Sequence, residues 1–285
     1  MPIIKRILFP FDFSEQGSHA APFVSAIANR FGATVTLLSV LPPVWDFPTL
    51  GMPVVTSGDQ TMEGELKSRL DAAPMKELDG IAVDRVTTSG DPAFRIADFA
   101  DANSVDLIMM ATHGTGLFRS LLIGSVTAKV LHDAKCPVWT ATHAEEQRSP
   151  ATPRTILCAV DGTSDTPALI RWAIEFAQRM GAGLKLLHVV PPLSDWLTLP
   201  SERELQEQVR EEARAKINSL ARSAGFEGTV RVAVGQIADT VTEEARQEGA
   251  DLIVIGRGTL PSALGRVRSH TYGIIQQSPC PVLSI

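Results

Sequence analysis

No stretch of this 285-residue sequence is long and apolar enough to cross a bilayer. Runs such as Asp106 to Ala111 and Leu252 to Ile255 end after about half a dozen residues, where a spanning helix needs roughly 20. A basic tract is also missing, and the formal net charge is -6. The long-range attraction that draws proteins to nucleic acid or to anionic membranes is therefore absent, and neither is expected as a partner. Cysteine is scarce: Cys136, Cys158 and Cys280 are odd in number and show no CxxC or Cys/His spacing. That usage fits a reducing compartment and predicts neither a structural disulfide nor a zinc site, and no other metal site is expected. The start, Met1-Pro2-Ile3-Ile4-Lys5-Arg6, leads straight into a strand-like run and has no secretory-signal pattern, so a cytoplasmic location is expected. What is present is the composition of a packed globular protein, 44% hydrophobic and 20% charged.

The sequence repeats itself. Ile7-Leu8-Phe9-Pro10-Phe11-Asp12-Phe13-Ser14 aligns with Ile156-Leu157-Cys158-Ala159-Val160-Asp161-Gly162-Thr163, placing the two aspartates 149 positions apart. Further matches follow at the same spacing, Phe31-Gly32-Ala33 with Met180-Gly181-Ala182 and Leu37 to Pro43 with Leu186 to Pro192. Asp106-Leu107-Ile108-Met109-Met110 then matches Asp251-Leu252-Ile253-Val254-Ile255, and Cys136-Pro137-Val138 matches Cys280-Pro281-Val282. Matches spread over a whole unit point to duplication of one domain. Residues 144–153, polar and carrying Pro150 and Pro153, separate the copies as a linker, giving domains 1–143 and 154–285.

Each copy alternates short Val/Ile/Leu-rich runs with longer segments of helical period, the pattern of βαβ units. In the first copy strands are predicted near 5–11, 33–40, 81–87, 106–111 and 137–141, and helices near 15–31, 60–79, 92–103 and 122–133. The central strands read as nearly continuous apolar runs, as strands covered on both faces do. The fold class is therefore α/β: two tandem doubly wound domains, each a five-stranded parallel sheet flanked by helices.

In such a sheet ligands bind beyond the carboxyl ends of the strands, where the winding reverses. The first predicted strand ends in Pro10-Phe11-Asp12-Phe13-Ser14, the second in Ser39-Val40, and the fourth in Ala111-Thr112-His113-Gly114-Thr115-Gly116. That last loop runs on to Gly124-Ser125-Val126-Thr127, where a helix begins. Strand, small-residue loop and helix start form an anion site, because free amides and the helix dipole face outward. Hydroxyls of Ser125 and Thr127 can add bonds to phosphate, and Asp12 can accept from a ribose hydroxyl or an adenine amine. Plainer readings stand beside these. Asp12 and Ser14 also suit a helix cap, Gly124-Ser125 a tight helix entry, and His113 a solvated loop. Cys136 and Cys280 suit small core positions, Trp45 and Trp196 simple packing near the pocket mouth, and Glu202 to Arg222 the solvated face of an amphipathic helix.

Taken together, these motifs resemble those of the universal stress proteins of the UspA superfamily, in tandem form. ATP-binding members carry Gly, two residues, Gly, nine residues, then Gly-Ser or Gly-Thr. Gly114, the nine residues Thr115 to Ile123 and Gly124-Ser125 fit that frame, with Ala111 in place of the first glycine. The resemblance implies an adenine-nucleotide alpha-hydrolase-like fold. It puts Pro10 and Asp12 in an adenosine pocket, Val40 where backbone groups read adenine, and Gly114, Gly124, Ser125, Val126 and Thr127 around the phosphates. It also implies that the fifth strands, 137–141 and 281–285, pair across a pseudo-two-fold axis, so that the chain is its own dimer, with a further homodimer compatible.

The second copy departs from the frame: Gly256-Arg257-Gly258-Thr259 lacks the second glycine, and Arg268-Ser269 stands where the first copy has Gly124-Ser125. An arginine there would fill the space a phosphate needs, although Gly265 offers a shifted glycine, so nucleotide is expected in the first copy. The implied function is a stress-response protein binding ATP, with or without Mg2+, or another adenine nucleotide. It would regulate or sense, through a protein partner the sequence does not name. No catalytic residue is assigned. There is no P-loop lysine and no evident base for water, so hydrolysis would be slow at most. Two alternatives are carried: a nucleotide-free interaction module, and an ATP-hydrolysing or ATP-pyrophosphatase-type enzyme, which would need a Ser-Gly-Gly type loop that Phe11 to Ser14 does not supply.

Overall fold

A computed structural model describes residues 4–46, 54–56, 60–112, 123–141, 151–193, 200–257 and 266–285. The chain divides into two compact units, Ile3–Ala141 and Thr142–Ile285. In chain order the first contains β1 (Arg6–Pro10), α1 (Glu15–Phe31), β2 (Thr34–Leu41), β3 (Val44–Asp46), β4 (Val54–Thr56), α2 (Gln60–Ala72), β5 (Val83–Ser89), α3 (Pro92–Ala102), β6 (Leu107–Ala111), α4 (Ser125–Asp133) and β7 (Val138–Ala141). The second contains β8 (Thr155–Val160), α5 (Thr166–Met180), β9 (Gly183–Val190), α6 (Pro200–Ser223), β10 (Val230–Val234), α7 (Ile237–Gln247), β11 (Leu252–Ile255), α8 (Arg266–Gln277) and β12 (Val282–Ser284).

Within the first unit the parallel strands run in the order β7-β6-β1-β2-β5, and within the second β10-β9-β8-β11-β12. The two orders are the same fold written twice, each winding outward both ways from its first strand. Winding reverses between β1 and β6 in one unit and between β8 and β11 in the other. Leu107–Met110 of β6 and Leu252–Ile255 of β11 are buried along their length, as expected for strands covered on both faces.

The repeated Asp-Leu-Ile motif has a structural use that explains its recurrence. Asp106 Oδ2 accepts from the amides of Lys5 and Arg6 at 2.8 and 2.9 Å. Asp251 Oδ2 does the same for Arg154 and Thr155 at 2.8 and 3.0 Å. Each carboxylate thus ties the entry of the unit's first strand to the start of its fourth.

Several boundaries differ from expectation. The helix predicted over 60–79 ends at Ala72, followed by a 3-10 turn at Lys76–Leu78. Pro74 explains the break, because it has no amide for the helix ladder and disfavours helical backbone at Ala73. The Arg85 guanidinium then donates to the carbonyls of Leu70 and Ala73, closing the frayed end. A short antiparallel pair, β3 with β4, was not anticipated. Conversely α1 accommodates Pro22 in its interior, since its ends are secured by Ser14 as N-cap and a left-handed Gly32. Cys158 and Cys280 are buried, as small core residues should be, whereas Cys136 is half-buried.

Candidate functional site

The crevice between β1 and β6 collects most of the residues singled out by sequence. After Pro10 the chain leaves the sheet, with the Phe11 amide making a last ladder bond to the Leu38 carbonyl at 2.8 Å. By the alternation of a parallel ladder, Val40 turns its amide and carbonyl the same way as Leu38, toward the space beyond that bond. The Val40 backbone therefore faces the crevice.

Asp12 is exposed at the turn. Its Oδ1 accepts from the Ser14 amide at 3.0 Å and the Ser14 hydroxyl at 2.5 Å, while Ser14 Oγ accepts from the Gly17 amide at 3.0 Å and caps α1. The capping reading is thus met, but it uses only one carboxylate oxygen. Oδ2 has no hydrogen bond to any described residue.

On the β6 side, Ala111 ends the strand in extended backbone, so its methyl causes no strain at the place where the family frame has glycine. The Gly124 amide donates to the Thr112 carbonyl at 3.0 Å, which closes the base of the connection. Gly124 is the N-cap of α4, at φ -55 and ψ 143, and supplies no capping side chain. The first ladder bond of α4 runs from the Ala128 amide to the Gly124 carbonyl at 2.9 Å. Hence the amides of Ser125, Val126 and Thr127 have no carbonyl one turn back to serve. The predicted helix start at 122 moves to Ser125 for this reason: Gly124 is in extended backbone. The Thr127 hydroxyl donates to the Ala111 carbonyl at 3.2 Å in a buried position, so its proton binds helix to strand and only its amide remains for an anion. Gly114 and His113 lie outside the described residues, as does Trp196.

The second unit repeats the turn with a different chemistry. Asp161 Oδ1 accepts from the Thr163 amide at 3.0 Å, the Thr163 hydroxyl at 2.8 Å and the Thr166 hydroxyl at 3.0 Å. Burial alone would push its carboxyl up, but these donors outweigh it and hold Asp161 below the usual carboxylate range. Helix α8 begins at Arg266, so the position matching Gly124, Arg268, falls inside the helix rather than at its cap. The first-turn amides left without a carbonyl one turn back are those of residues 266–268, three positions earlier than their counterparts in the first unit.

One pair was missed from sequence. Phe13 has φ 61, a left-handed conformation, and the guanidinium of Arg69 on α2 lies 4.1 Å from its ring centroid. The repeat held the clue to the first, since Phe13 aligns with Gly162, which sits at φ 76. Arg69 could not be found without the tertiary fold.

A cavity of about 960 Å³ lies away from these strand ends, in the second unit along β10 between α6 and α7. Its cations Lys185, Arg210, Arg214 and Arg231 each face a carboxylate, Glu248, Glu207, Glu211 and Glu244 in turn, so it offers an anion no net attraction.

The sequence model described as the Universal stress protein family matches residues 4–141 and again 152–285. A universal stress protein of Thermus aquaticus is 33% identical over 142 residues, covering 48% of this chain and 97% of that protein. A universal stress protein of Mycolicibacterium smegmatis is 25% identical over 295 residues, covering 98% of this chain and 96% of its own. The crystal structure of a universal stress protein from Archaeoglobus fulgidus superposes with a TM-score of 0.70 at 20% identity, covering 100% of this chain and 97% of that one.

Proposed function

The chain belongs to the universal stress protein family, and from that premise we propose that its first unit binds an adenine nucleotide, ATP foremost, as a cytoplasmic sensor or regulator. The observation that carries the proposal is the uncapped start of α4 at the point where winding reverses. Three amides point out of a helix N-terminus whose dipole favours negative charge, and Gly124 keeps side-chain atoms out of the approach. The Asp12 carboxylate and the Val40 backbone, across the same crevice, supply acceptors and a donor of the kind a ribose and an adenine edge need.

Mg2+ would arrive with the triphosphate, to which the exposed Ser125 is adjacent in this reading. The chain's contribution is binding and orientation, and we assign no residue to catalysis. Each domain, 1–143 and 154–285 about a linker at 144–153, is a unit of its own in this reading, and only the first begins its last helix directly behind a Gly-Ser pair, Gly124-Ser125. One nucleotide per chain is the consequence, with the protein partner responding to occupancy.

Gly124→Arg tests this cleanly. Its φ of -55 and ψ of 143 are open to any residue, so the variant should fold. Calorimetry with ATP is expected to show saturable binding by the wild type and none by Gly124→Arg. Undiminished binding by the variant would remove the assignment. Native mass spectrometry free of adenine nucleotide, with no binding at millimolar ATP, would favour the interaction-module reading instead.

A further inference from the structure

Phe13 holds a backbone conformation that strains a bulky residue, and strain of this kind persists where function requires it. The second copy relieves it with Gly162 at φ 76 and loses nothing in the turn. Thr163 bonds Asp161 Oδ1 through its amide and hydroxyl at 3.0 and 2.8 Å, just as Ser14 bonds Asp12 Oδ1 at 3.0 and 2.5 Å. Hydrogen bonding in the turn therefore gives no reason for a phenylalanine.

What Phe13 adds is a ring. It meets Phe11 edge-on at 5.0 Å between centroids, and the Arg69 guanidinium lies 4.1 Å from its centre. Arg69 is exposed and, among the described residues, has no carboxylate partner. A cation left on an aromatic face, without an acid to hold it, is a surface built for something flat and electron-rich. In the second copy, Lys216 precedes the buried Ile217 as Arg69 precedes the buried Leu70. A Cβ placed on Gly162 would stand 3.0 Å from Ile217 Cδ1 and 4.0 Å from Lys216 Nζ. There the cation is kept, but an aliphatic side chain of the helix occupies the place of the ring.

We propose that Phe13 and Arg69 form a stacking wall for the purine base of a nucleotide bound in the first unit. The inference rests on the nucleotide reading above and deepens it. Phe13 adjoins Asp12 at the end of β1, and Arg69 reaches its ring from α2, which packs on β5 and β2. The free amides of α4 stand on the β6 side. A ligand with its phosphates at Ser125 thus lays its base toward Phe13. Stacking acts on the base whatever tail it carries, so the wall contributes equally to adenosine and to ATP.

Calorimetry on the full chain with adenosine and with ATP tests this, using Phe13→Gly and Arg69→Met. Phe13→Gly should fold as well as the wild type or better, because the second copy shows the turn intact with glycine. Its affinity for both ligands should fall by the same factor, about tenfold or more, as expected for loss of one base–aromatic stack. Arg69→Met, which still covers the ring, should weaken both by a few-fold, about 3 to 5. Unchanged affinity in Phe13→Gly overturns the wall, and unchanged affinity in Arg69→Met removes Arg69 from it. Loss confined to ATP overturns it too, since the pair would then read phosphate. A wild type that binds neither ligand fails the nucleotide reading itself, an outcome distinct from variants that bind as the wild type does.

Discussion

At Asp12 one carboxylate oxygen is committed to Ser14 and the other is open, so shape and charge can be separated by two substitutions. Asp12→Ala removes the support of the α1 cap and should cost about 1 kcal/mol of stability, measured by denaturant unfolding. Asp12→Asn keeps an acceptor for Ser14 and should leave stability nearly unchanged while weakening nucleotide binding. If both variants bind as the wild type does, Asp12 is a cap only. At Asp161 the carboxyl is held below its usual range, so it contributes stability above the ordinary carboxylate pKa that is lost as pH falls through the lowered one. Asp161→Asn should accordingly flatten the acid limb of the stability–pH curve, and an unaltered limb would contradict the hydrogen-bond account. Burial pushes the thiols of Cys158 and Cys280 up to about 12, so each favours the protonated folded state. At pH 8, mass spectrometry after iodoacetamide should find Cys136 labelled in the native protein and the other two only after unfolding. The cap at Asp12-Ser14, the helix entry at Gly124 and the burial of Cys280 were legible from residue type and spacing. The left-handed backbone at Phe13 left only the hint of its alignment with Gly162, and the Arg69 guanidinium over its ring left none, because it is brought there by α2.

At the scale of elements, the central strands such as β6 and β11 were legible because burial on both faces leaves an apolar run that sequence records directly, whereas the β3–β4 pair was not. Helix ends were less so. Pro74 stopped α2 where periodicity alone continued, while Pro22 sits inside α1 without ending it, because burial of Phe23, Val24 and Ile27 against the sheet outweighs one lost ladder bond. The early start of α8 could not be read either, since Arg268-Ser269 is as compatible with a helix interior as with its edge. The clamps made by Asp106 and Asp251 belong to this scale. Asp106→Ala frees two amides at the entry of β1 and should destabilise the first unit by about 1–2 kcal/mol in denaturant unfolding. A negligible change would mean that water replaces the carboxylate at no cost.

For the whole molecule, duplication was legible because the two units preserve the same strand order and the same aspartates, and these leave matched letters in the sequence. Divergence between the copies was only half legible. The loss of Gly-Ser in the second copy and the long helix over Glu202 to Arg222 showed in the letters, whereas the end of α2 after 13 residues, and the filling of the second copy's turn by Ile217, required coordinates. These differences lead to the same asymmetry: two folds of one plan, with Gly124 at the cap of the last helix in the first unit and Arg268 inside that helix in the second. Titration of ATP into the 285-residue chain, followed by calorimetry, examines that asymmetry most directly. The account predicts saturation at one nucleotide per chain, abolished by Gly124→Arg; two equivalent sites per chain, or no uptake at millimolar ATP, would contradict it.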